Sequence, residues 1–143
     1  MRFNVQTDNT KIRAAVKEVE NFIEALWKGE IDLPDYFTHT PETPSQVRRN
    51  IAMSVFIHDP IPVREYTSSW FFRNVLGNFS KGAININTRF SSTASVADIA
   101  GNIMHEYCHA LGYEHKGNKV TPYNLKSVPY VLGYACRDWV KEK

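Results

Sequence analysis

The side chains best suited to chemistry stand together in one stretch, His105-Glu106-Tyr107-Cys108-His109-Ala110-Leu111-Gly112-Tyr113-Glu114-His115. Two histidines four apart on an α-helix are separated by about 400° of rotation and about one pitch, so both imidazoles can reach one ion from one face. That is zinc-ligand spacing. Glu106 is rotated by about 100° from the first histidine, where it can flank the ion and take a proton from a water molecule without being a ligand. A catalytic zinc that keeps its fourth position open needs a third protein ligand, and a helix continued past His109 would carry His115 away along its axis. Gly112 answers this, because glycine enters the left-handed region at little steric cost and can turn the chain so that His115 comes back toward the other two. The competing reading, a helix with surface or core-satisfied histidines and a glycine cap, leaves the spacing unexplained.

The elements that must position these groups can be read outward from the motif. Ser91, Ser92, Thr93 and Ser95 offer N-caps, and Ser95 with Asp98 forms an acidic variant of a capping box. The helix that follows packs through Ile99, Ala100, Ile103, Met104, Tyr107, Cys108 and Leu111, leaving the histidines on the flank that faces a cleft. Ahead of it, residues 83–88 alternate as a strand with Ile84 and Ile86 inward and the asparagines outward, after turn chemistry over residues 77–82. Residues 63–76, with Trp70, Phe71 and Phe72 in sequence, suit a strand or hairpin arm. Ile51, Met53, Val55 and Ile57 alternate as a buried strand, preceded over residues 30–50 by an irregular connection with one short helical turn near Gln46. Residues 2–7 suit a short strand. Asp8, Asn9 or Thr10 then caps an amphipathic helix whose stripe runs from Ile12 to Trp27 and covers one face of the sheet, with Gly29 as its stop. Beyond His115 a loop leads to a closing helix from Tyr130, with a basic end at Lys141 and Lys143 that suits the helix dipole.

A chain of 143 residues is one domain's worth and long enough to bury a core, so one catalytic domain is expected over 1–143. The formal charge of +2 gives no support for a broad nucleic-acid surface, and Arg48-Arg49 reads as a solvated pair. No apolar run reaches transmembrane length and the N-terminus lacks the apolar core of a secretory signal, so no membrane partner is expected. The compartment stays open, cytoplasmic if the chain is full length. Cys108 and Cys136 read as free buried thiols, and His39 and His58 as surface histidines rather than ligands.

The segment His105 to His115 resembles the HExxHxxGxxH signature of the metzincin zinc peptidases. The resemblance implies one catalytic Zn2+ on His105, His109 and His115, with Glu106 as general base and then acid in hydrolysis of a peptide bond by a zinc-activated water. It implies an α+β fold: a small mixed twisted sheet, an N-terminal backing helix, the zinc-binding helix and a C-terminal helix. In that family a peptide substrate docks in extended form along an edge strand, and residues 76–79 and 82–86 are similar to its last two strands. The expected partner is therefore a protein or peptide, met by a monomer. A tyrosine beyond the site donates to the oxyanion in some members. Tyr130 or Tyr134 could do so here, or either could be a core aromatic with its hydroxyl at the surface. The family's methionine beneath the metal is missing, since the methionines are Met1, Met53 and Met104. Ser127-Val128-Pro129-Tyr130 stands where that turn is expected, with Val128 or Pro129 as an apolar floor, which describes a compact or divergent member.

Two other readings compete. The chain is also similar to the zinc-dependent endoribonucleases of ribosomal RNA maturation, which share the histidine offsets and the Gly-Tyr-acid-His ending. That family has glycine where this chain has Glu106, and the small net charge offers little to hold a phosphate backbone. A zinc-stabilised binding module would more often close its fourth position with another Cys or His, and none lies close in sequence.

Overall fold

The computed structural model describes residues 1–68 and 76–143. Its elements are β1 (Phe3–Val5), α1 (Thr10–Trp27), α2 (Pro44–Ile57), β2 (Ile61–Tyr66), β3 (Gly77–Ser80), β4 (Ala83–Asn87), α3 (Thr88–Ser91), α4 (Val96–Ala110), α5 (Pro122–Leu125) and α6 (Val128–Lys141). The fold is α+β, and among the described residues the mixed sheet has four strands in the order β1-β2-β4-β3. The first two pairings are parallel and the last is antiparallel, with Val63 opposite Ile84 and Phe79 opposite Ile84 from the other side. Among the described residues no helix is long and apolar enough to cross a membrane.

Helix α1 forms where its stripe demands it. Asn9 caps the Lys11 and Ile12 N–H groups, and Ile12, Ala15, Val16, Val19, Phe22, Ile23 and Leu26 are buried at helical spacing. Trp27, expected on the packed stripe, is 55% exposed. The helix packs chiefly on α4, then on α2 and α6, and meets the sheet at β1. It is thus as much a helix-packing element as a cover for the sheet. Helix α4 opens with the expected box, Ser95 and Asp98 each accepting from the other's backbone N–H.

The expected strand over Ile51–Ile57 is the second half of α2. A full capping box between Thr43 and Gln46, with Pro44 in the first turn, starts the helix. Once started, burial follows Val47, Ile51 and Ser54, while Met53 and Ile57 of the supposed inward set face solvent. The six-residue turn narrows to Lys81 and Gly82, both at positive φ, and β3 takes the residues before them. Ile84 and Ile86 point inward as expected, but Asn87 is buried too, its side chain bonding Arg89 N–H and Ser68. Helix α6 starts two residues earlier than expected, at Val128. Tyr66 ends β2, and the expected aromatic arm at Trp70, Phe71 and Phe72 lies outside the described residues. Cys108 and Cys136 are free and buried.

Candidate metal centre

His105 and His109 project from the last two turns of α4. The helix ends at Ala110 with Leu111 as its C-cap, Gly112 takes φ +98°, and Tyr113 N–H returns to the Cys108 carbonyl at 3.0 Å. That reversal brings His115 back. Its Nε2 stands 3.1 Å from Nε2 of His105 and 3.1 Å from Nε2 of His109. The three ligand atoms lie within 4.8 Å of one another, and nitrogens bound to one tetrahedral ion at about 2.0–2.1 Å stand roughly 3.3 Å apart, so the cluster could hold one metal ion.

The other nitrogen of each ring is held by the backbone. His109 Nδ1 donates to the Tyr113 carbonyl at 2.8 Å and His115 Nδ1 to the Gly117 carbonyl at 2.7 Å. His105 donates to the Pro129 carbonyl. With each Nδ1 donating to a backbone oxygen, the three Nε2 atoms are left to face one another, an arrangement that could hold a metal ion. Burial, followed by the neighbouring His109 and His115, pushes His105 down to about 3, and burial also lowers His109. Both are the uncharged form that a metal needs. The three rings are the residues that could hold a metal ion among those described.

Glu106 is 8% exposed, accepts a hydrogen bond from the Phe79 backbone N–H of β3, and is pushed up to about 8 by burial. With His105 it opens on a cleft of about 540 Å³ that runs between α4 and α6 past Asn102, Tyr130, Tyr134 and Arg137. The two candidate tyrosines separate here. The Tyr130 ring lies 4.7 Å from the His105 ring and 4.7 Å from the His115 ring, whereas Tyr134 is 39% exposed, beyond Tyr130, with Arg137 over its face.

Around the triad, the bracing of Tyr113 and the nearness of Tyr66 carry no sequence signal. Tyr113, whose carbonyl orients His109, is buried and donates its hydroxyl to Glu42 at 2.7 Å, with Asn50 bonded to both. Val128 and Pro129 are buried where the apolar floor was expected, and Pro129 also orients His105. Tyr66 is close enough to Glu106 to feel its charge. His58 is exposed as expected. His39 is not a surface group: it is part-buried and bonded to Asn124 at 2.9 Å. Set against protein-family models, curated proteins and solved structures, the chain matches none.

Proposed function

We propose that the chain is a zinc-dependent endopeptidase in which His105, His109 and His115 hold the ion and Glu106 is general base and then general acid. One observation carries this: Glu106 is a buried carboxylate one residue from a ligand, opening on the same cleft as His105 and steadied by the Phe79 N–H of β3. A structural zinc site closes its coordination with a fourth Cys or His, and among the described residues no fourth such group joins the cluster.

Zinc held by His105, His109 and His115 would supply a Lewis acid able to polarise a carbonyl and to acidify a water molecule at neutral pH. Ionised once a neighbouring cation offsets its burial, the Glu106 carboxylate would take a proton from a water molecule in the cleft as the water oxygen bonds to the substrate carbonyl carbon, and would pass it to the amide nitrogen as the C–N bond breaks. Tyr130, beside His105 and His115, donates its phenolic proton in a hydrogen bond to the carbonyl oxygen as charge develops there. Tyr134 shapes the outer wall. An extended substrate pairs with β3, the terminal strand of the sheet among the described residues, whose Phe79 N–H already marks the Glu106 side.

The test compares wild type with Glu106→Gln on quenched peptide libraries. Zinc content is expected to persist while cleavage falls by about 10²–10⁴. Cleavage at the parent rate ends the assignment of Glu106, and zinc-dependent cutting of RNA with peptides left intact replaces the peptidase by the endoribonuclease.

A further inference from the structure

Helix α4 fixes two of the three imidazoles, but His115 lies beyond it, at the start of a loop over residues 116–121 that has neither helix nor strand. A site of this kind needs each group held to within about 0.5 Å, which a loop alone does not provide. The loop is held by Asn124 of α5, which is 4% exposed. Its amide uses all of its hydrogen-bonding capacity. Nδ2 donates to the carbonyls of Lys116 at 2.7 Å and Lys119 at 2.9 Å, and Oδ1 accepts from Lys116 N–H at 3.2 Å and His39 Nε2–H at 2.9 Å. Between the two residues so pinned lies Gly117, whose carbonyl takes the Nδ1 proton of His115.

The anchor is itself anchored. Thr121 Oγ1 accepts from Asn124 N–H, while Thr38 donates its hydroxyl to the Tyr123 carbonyl at 2.6 Å and its N–H to the Lys126 carbonyl at 3.1 Å. His39 stands at φ +64°, a conformation costing about 1 kcal/mol in a residue other than glycine, with its ring on Tyr123 at 4.6 Å. That conformation directs the ring at Asn124.

We infer that Asn124, backed by His39, is a positioning residue that sets the place and tautomer of His115. The inference rests on the metal centre and not on the reaction performed there. Asn124→Asp keeps the shape, removes both donors and turns a carboxylate oxygen toward two carbonyls. Titrating metal-free protein with zinc against a chromophoric chelator is expected to show affinity reduced about tenfold. In a His115→Ala background the same substitution is expected to change affinity no further, because the group through which it acts is gone. Cobalt(II) in Asn124→Asp is expected to lose visible absorption as the third imidazole gives way to solvent, a change that loss of fold stability alone does not produce. Should Asn124→Asp fail to fold, His39→Gly removes one of the four bonds at a φ that glycine accepts, with a loss of about threefold expected. Unchanged affinity in the folded variants, or an equal loss with and without His115, overturns the inference and leaves the metal centre standing. Wild type that takes up no stoichiometric zinc overturns both.

Discussion

Gly112 shows how much of the site hangs on single residues. At φ +98° it turns the chain between His109 and His115, and a side chain there strains the backbone by about 1–2 kcal/mol. Gly112→Ala is therefore expected to lower the melting temperature by several degrees. It is also expected to weaken zinc binding, checked by calorimetric titration, because relief of the strain swings His115 off its partners. Glu106 and His105 make a second case, in the metal-free protein. Burial raises Glu106 from 4.5 to about 8, so in that interval the folded state holds a proton the unfolded chain has released. Its contribution is complete below the lower value and lost as pH rises through the upper one. His105, lowered from 6.5 to about 3, contributes fully above 6.5 and loses its contribution as pH falls toward 3. The melting temperature of chelator-treated protein is expected to peak near pH 6.5, falling on the acid side as His105 and the likewise lowered His109 take up protons and on the alkaline side as pH rises toward 8; Glu106→Gln is expected to remove the alkaline fall and to steepen the rise between about 4.5 and 6.5. The clustering of three imidazoles and the glycine turn between them were legible in the sequence because coordination chemistry dictates their offsets. What orients the imidazoles was not. Tyr113, Gly117 and Pro129 act through backbone carbonyls, which every residue possesses.

Among the elements, the contact between α4 and α6 does most to shape the cleft. A Cβ on Gly101 would meet the Gly133 carbonyl at 2.8 Å, and one on Gly133 would meet the Gly101 carbonyl and His105 Cβ, each at 3.1 Å. These two glycines let the helices touch backbone to backbone, which puts Tyr130 and Pro129 against His105. Gly133→Ala is expected to cost about 1–3 kcal/mol in urea unfolding and to reduce zinc affinity, since α6 must move away from His105. Neither glycine announced itself in the sequence, because a glycine inside a helical pattern carries no sign of what lies opposite. Helix α2 was hidden for another reason. Alternation over Ile51–Ile57 satisfies a strand pattern as well as a helical one, and the decision is made upstream by Thr43, Pro44 and Gln46. That helix matters to the site because its Asn50, with Glu42 before it, grips the Tyr113 hydroxyl behind His109.

On the scale of the whole molecule, the three imidazoles are steadied from three separate parts of the chain. His105 leans on the start of α6, His109 on a turn braced by Glu42 and Asn50, and His115 on a loop tied to α5 and His39. None of these acceptors is in place in an unfolded chain, so an ion that prefers the assembled triad prefers the folded state as a whole. Free zinc at 100 times its dissociation constant should then add about 2.7 kcal/mol of stability, or roughly 5–10 °C in the melting temperature of a chain this size. The increment should keep growing with the logarithm of free zinc, because only the folded state takes up the ion. Thermal melts in zinc buffers of graded free concentration measure the slope directly. His115→Ala should flatten it, since two imidazoles on one helix can gather without the rest of the fold. A wild-type melting temperature indifferent to zinc, with chelator or without, would mean that the histidines come together for some purpose other than holding a metal.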